Sequence, residues 1–235
     1  MNYARALRQH LELYRAAGWD PPLRRPQPPT PLTAKLERPA GSSAPAAVAA
    51  VSTAERLTPL REEVAACTRC GLCQSRTNTV FGVGNPDARL MFVGEGPGHE
   101  EDRQGEPFVG RAGQLLDKII TAMHLQRENV YIGNIVKCRP PQNRNPAPDE
   151  VGACRPYLDQ QIEIVAPEVI VALGSVAARV LLGVDQPIGR LRARFHDFRG
   201  IAVMPTYHPA YLLRTPSDKR KVWEDMQQVM VRLGL

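Results

Sequence analysis

LMFVGEGPGHEEDRQGEPFVGRAGQLLD, residues 90–117, decides how this chain is read. Leu90 to Val93 form a short apolar run bounded by glycine, the pattern of a buried strand. Gly94, Gly96 and Gly98 then fall within five positions, which lets the backbone turn sharply and lets a flat group approach it. An acidic segment leads to Pro107-Phe108-Val109-Gly110. Leu115, Leu116, Ile119, Ile120 and Met123 follow at helical spacing, within a helix expected over 113–123. Strand, glycine turn, aromatic and helix build a pocket at the carboxyl end of a strand, where open α/β sheets bind ligands. The run is not a dinucleotide fingerprint, because Pro97 sits inside the turn and His99 takes the last glycine position of GxGxxG. The same residues also fit a plain strand-to-helix turn with Phe108 in the core.

Strand patterns recur at 130–136, 169–173 and 201–204, and helical patterns at 149–165, 175–182 and 217–233. Strands alternating with helices of this length require crossover connections and a mostly parallel sheet. Ser175 reads as an N-cap and Gly183 as a C-terminal stop. Residues 192–198, ahead of Gly200, predict an added antiparallel strand or hairpin. Leu57, Leu60 and Val64 predict a helix capped by Thr53. The expectation is one α/β domain over residues 55–235.

Residues 1–54 read differently. A partial apolar stripe over 3–17, ended by Gly18, is too short to stand alone as a helix. Residues 21–51 are rich in Pro, Ala and Ser, the composition of a linker. Seven Arg or Lys against three Asp or Glu place most of the chain's net charge of +6 in this tail. A solvated tail is the plain reading, and a docking segment for a replication or repair protein the sharper one. The basic balance fits an anionic partner such as nucleic acid. No apolar run is long enough for a membrane span and no signal-peptide core is present, so a cytoplasmic monomer is expected.

Five cysteines, an odd number, point away from disulfides and toward metal or cluster ligation. Cys67 and Cys70 form a CxxC on one turn. Cys138 follows a strand, and Cys154 lies sixteen positions later in a helical pattern. Four thiolates gathered by the fold suit a cubane iron–sulfur cluster or a tetrahedral zinc, and the spacing leaves both open. In either case the group staples the leading helix to the sheet. Cys70 and Cys73 also form a CxxC, so Cys73 competes as a ligand.

Four motifs stand in order: Gly94-Glu95-Gly96-Pro97-Gly98, Gly105-Glu106-Pro107-Phe108-Val109-Gly110, Asn134-Ile135-Val136-Lys137-Cys138-Arg139-Pro140-Pro141, and His208-Pro209-Ala210-Tyr211-Leu212-Leu213-Arg214. With the cysteines they closely resemble the family 4 uracil-DNA glycosylases, the iron–sulfur class of that superfamily, across residues 60–233. The resemblance implies a three-layer α/β/α sandwich around a four-stranded, mostly parallel sheet. It implies a 4Fe–4S cluster on Cys67, Cys70, Cys138 and Cys154, with Cys73 outside the ligand set. The implied activity is monofunctional hydrolysis of uracil from DNA, which leaves an abasic site and starts base excision repair.

The motif residues carry chemistry suited to that work. Uracil must be flipped from the duplex before its bond can be cut. Phe108 offers a face for stacking. The amide of Asn134 carries a donor and an acceptor for uracil O4 and N3–H, and cytosine presents the opposite pattern. The resemblance sets His208 against uracil O2, where a donor stabilises the leaving anion, with its protonation left open. Glu95 falls to the attacking water or the cationic sugar, Gly94 and Gly96 to backbone contact with uracil, and Glu101 to blocking the thymine methyl. Phosphate contacts fall to Arg139, Arg144, Arg190, Arg192, Arg194 and Arg214. Tyr211-Leu212-Leu213, with Leu212 at its centre, is the expected wedge into the stack. One alternative is a relative that grips uracil-DNA without turnover. The covalent branch of the superfamily carries a histidine in the interval between Cys138 and Cys154, and RPPQNRNPAPDEVGA has none. The other alternative is a structural cluster or zinc module serving a polymerase.

Overall fold

The computed structural model describes residues 51–235. The helix expected over 3–17, and all but the last residue of the expected linker, lie outside the described residues. Ser52 opens α1 (Thr53–Ala65) with a capping box: its hydroxyl accepts the Glu55 N–H at 3.2 Å, and Glu55 accepts the Ser52 N–H at 2.8 Å. The cap is thus Ser52 rather than Thr53, because only Ser52 has a glutamate three positions on.

Six strands form one sheet: β1 (Val83–Gly84), β2 (Leu90–Gly94), β3 (Tyr131–Asn134), β4 (Val169–Leu173), β5 (His196–Phe198) and β6 (Ile201–Thr206). Their order is β1-β3-β2-β4-β6-β5. The middle four run parallel, and β1 and β5 are antiparallel edges. The four-stranded expectation therefore holds for the parallel core and fails at the edges. Strands of two and three residues are too short to leave a periodic signal. The hairpin foreseen at 192–198 is β5 turning into β6.

Helices α2 (His99–Gln104) and α3 (Arg111–Ala122) join β2 to β3, and α4 (Pro148–Val165) joins β3 to β4. Helices α5 (Ser175–Leu182) and α6 (Ile188–Leu191) lie between β4 and β5, while α7 (Pro209–Arg214) and α8 (Lys219–Leu233) follow β6. Ser175 is the first helical residue, with Gly174 before it, and Gly183 closes α5 in the left-handed conformation. Met91, Val93, Ile170 and Ala172 pack with α1, α4 and α5; Leu90, Phe92, Val169 and Val171 pack with α3, α7 and α8. Both faces are covered, which is why these strands read as unbroken apolar runs. Among the described residues no helix is long and apolar enough to cross a membrane.

From β2 the chain moves to β3 on one side, then returns to β4 on the other. That reversal opens a crevice at the carboxyl ends of β2, β3 and β4, the place where α/β sheets take ligands.

Candidate active site

A pocket of about 450 Å³ lies at this edge, within the usual range for ligand sites. Glu95, Gly96, Glu101, Phe108, Asn134, Arg144, His208 and Arg214 line it. Four sequence motifs thus converge on one cavity.

Gly94 makes the centre of the site. It pairs with Asn134 across β2 and β3. A Cβ on it would stand 2.5 Å from Asn134 Oδ1 and 2.6 Å from Phe108 Cζ, so only glycine lets both side chains in. Phe108 adopts φ 55° and its ring stacks on His208, 5.6 Å between centroids at 30°. A Cβ on Gly113 would fall 1.8 Å from the Phe108 carbonyl oxygen, so α3 begins on a second tight glycine contact. Phe108 is 5% exposed and packs in the core as well as lining the pocket.

Asn134 is buried, and its Oδ1 has no hydrogen-bond partner among the described residues. An orphaned buried acceptor is costly unless a ligand supplies the donor. His208 caps α7, with Nδ1 accepting the Ala210 N–H at 3.1 Å. Burial, helped by the Arg214 charge, pushes its pKa down to about 4. The ring is therefore neutral near pH 7. With a lone pair on Nδ1, its single proton sits on Nε2. Burial also raises the Glu95 carboxyl above its ordinary range.

Glu101 also has a structural job. Its carboxylate accepts N–H groups from Gly98 at 3.1 Å, Val109 at 3.0 Å and Gly110 at 2.9 Å. It straps the glycine turn to the Phe108 loop while lining the pocket. The next residue, Asp102, accepts the Thr77 and Asn78 N–H groups at 2.9 and 3.3 Å.

Two expected DNA contacts are corrected. Leu212 is 0% exposed and belongs to the core, while Leu213 points outward at 37%. Arg192 is nearly buried and pairs with Asp225, with guanidinium bonds of 3.1 and 2.7 Å. Asp225 also accepts the Thr206 hydroxyl at 2.6 Å, just before Tyr207-His208, so the pair supports the histidine loop. Sequence reasoning missed Asp225, although a carboxylate in the apolar stripe Val222, Met226, Val229 was the signal. Arg192→Ala leaves that carboxylate buried without its cation. A loss of about 3 kcal/mol in urea melts is expected. The salt slope of DNA binding should stay unchanged, whereas loss of a phosphate contact would reduce it by about 0.9.

Arg139 bonds Asn143 at 2.8 Å and meets His99 at 3.1 Å. Arg144 holds Glu150 with two bonds of 2.8 and 2.6 Å, tying the proline-rich loop to α4. Arg214 is exposed at the pocket rim. Arg190 and Arg194 are exposed, away from the pocket lining.

All five cysteines line a second cavity with Arg76, Lys137 and Tyr157. Arg76 donates to Cys138 Sγ at 3.2 Å, and the Lys137 N–H donates to Cys154 Sγ at 3.2 Å. Among the described residues no three His, Cys, Asp or Glu side chains converge on a single ion position.

The family model described as Uracil DNA glycosylase superfamily matches residues 81–227. The chain is similar to the type-4 uracil-DNA glycosylase of Thermotoga maritima, 50% identical over 71% of this chain and 89% of that protein. It is 44% identical to the Sulfurisphaera tokodaii type-4 enzyme, over 74% of this chain and 84% of that one. For the Archaeoglobus fulgidus type-4 enzyme the figures are 40%, 74% and 92%. The matched span contains the glycine turn, Asn134 and His208 around one pocket, and the chain belongs to the uracil-DNA glycosylase superfamily, within its type-4 family.

Proposed function

We propose that this protein is a uracil-DNA glycosylase. It takes uracil flipped out of DNA into the pocket and hydrolyses the N-glycosidic bond, leaving an abasic site for base excision repair. The observation that carries this reading is the unpartnered Oδ1 of buried Asn134 beside the Phe108 ring. Uracil N3–H supplies the missing donor, and uracil O4 accepts from Nδ2. Cytosine, bare at N3, leaves Oδ1 orphaned in this orientation, and such mismatches discriminate strongly. The Nε2–H of neutral His208 faces O2, where negative charge collects as the bond breaks. Glu95 holds the attacking water or supports the cationic sugar. Type-4 relatives over most of the chain support the activity.

Arg144 and Arg214 at the rim, with Arg139 bonded to the pocket residue Asn143, serve the phosphates, and Leu213 rather than Leu212 is the exposed apolar residue fit to be the wedge. Cys67, Cys70, Cys138 and Cys154 would hold a 4Fe–4S cluster. Thiolate-only donors around a cavity, with N–H groups aimed at the sulfurs, fit it. When bound, the group would tie the turn after α1 to the segment after β3 and to α4. Residues 55–235 form the catalytic domain, and residues 1–54 are a basic, Pro- and Ala-rich tail whose sharper reading is a docking segment for a repair or replication protein.

The test is an oligonucleotide with one uracil, incubated with the brown holoenzyme and then treated with alkali. Cleavage that needs both uracil and alkali is expected, with absorbance near ~400 nm marking the cluster. Tight binding without abasic product would replace the enzyme by a non-turnover binder.

A further inference from the structure

Lys137 is 1% exposed, and neither partner of its ammonium is a carboxylate. Nζ donates to the Asn134 backbone oxygen at 2.8 Å and to Gln161 Oε1 at 2.5 Å. Gln161 is itself fixed, donating to Phe81 O at 2.9 Å and to the Tyr131 hydroxyl at 3.1 Å. Burying an ammonium without an anionic partner is costly, so packing alone is a poor reason for lysine here. Its backbone N–H, meanwhile, donates to Cys154 Sγ. One residue thus grips the end of β3 with its side chain and a cysteine of the second cavity with its amide. Asn134 Oδ1 has no partner among the described residues, so the aim of that amide depends on its backbone, and the backbone oxygen is what Lys137 holds.

We infer that Lys137 is a positioning residue that sets the aim of Asn134 and couples the base-reading amide to the cysteine centre. The inference rests on the glycosylase reading above. A ligand that bonds Asn134 should then steady the cysteine centre, because coupling between two sites is reciprocal.

The experiment compares wild-type, Lys137→Met and Lys137→Gln holoenzymes. Lys137→Met removes the buried ion but leaves the Asn134 carbonyl and Gln161 Oε1 without their donor, so a loss of stability is expected and rates are compared per loaded iron. Its single-turnover rate is expected to fall about 10–100-fold, since misplacement by about 1 Å costs on that order, with KM within about threefold. Lys137→Gln, whose amide donates toward the same oxygen, should recover part of the loss. Free uracil should slow bleaching by an iron chelator in wild type and have no such effect in Lys137→Met. A Lys137→Met rate within twofold of wild type at full iron content would overturn the inference. So would a rate that falls only in proportion to lost iron, or equal protection of both proteins by uracil. An inactive wild type would instead overturn the glycosylase reading beneath it.

Discussion

His208→Ala is expected to slow single-turnover uracil release by about 10²–10³-fold, the usual effect of removing one preorganised donor to a developing anion, with DNA binding little changed. The size follows from geometry. Nδ1 is occupied by the Ala210 N–H, so Nε2–H is the only donor the ring can offer the pocket. The neutral ring costs nothing to prepare at pH 7, because burial already holds its pKa at about 4. Two pH experiments follow. In activity, the acid limb should appear first where Glu95 protonates, since burial raises that carboxyl above 4.5 while His208 stays neutral down to about 4. That limb should survive in His208→Ala. In stability, the unfolded chain binds a proton on this histidine below about pH 6.5 that the folded chain refuses until about 4. The folded-state pKa is lowered, so stability present above 6.5 is lost as pH falls through that window. His208→Ala should therefore show a flatter stability curve between pH 6.5 and 4 in denaturant melts. An unchanged turnover rate would remove His208 from the chemistry.

The parallel core was legible because its strands are covered on both faces and read as unbroken apolar runs between glycines. The pocket was legible because its motifs end those strands, and strand ends converge by topology. What escaped was nonlocal or out of phase. Arg192 looked like part of a basic run, but its partner Asp225 lies 33 positions away, and the apolar stripe that marks Asp225 as buried does not say which cation it pairs with. Leu212 and Leu213 sit on a six-residue helix, too short to show which leucine turns inward. Glu101 looked like a free loop acid because its partners are backbone N–H groups, which no side-chain pattern records. Lys137 stood in plain view, a lysine in an otherwise apolar strand end, yet only the fold reveals the Asn134 carbonyl it serves.

Gly94→Ala tests whether the site works as a rigid assembly. The added methyl would lie 2.5 Å from Asn134 Oδ1 and 2.6 Å from the Phe108 ring, closer than real contacts allow. The backbone has little freedom to yield, since the Gly94 carbonyl accepts the Ile135 N–H at 2.9 Å and β2 is paired on both sides. The two side chains must move, and they are the stacking face and the reader of N3–H. A displacement near 1 Å is expected to cost about 10²-fold or more in kcat/KM. Overpacking should lower stability by about 1–3 kcal/mol. The cysteine cavity shares no lining residue with the pocket, and the Asn134 carbonyl that Lys137 holds belongs to the paired backbone rather than to the displaced side chain, so iron content and visible absorbance should stay at wild-type levels. Loss of activity with iron retained would place the damage in the pocket. Activity within about fivefold of wild type would mean that Asn134 and Phe108 shift without consequence, and neither could then be the element that distinguishes uracil from cytosine.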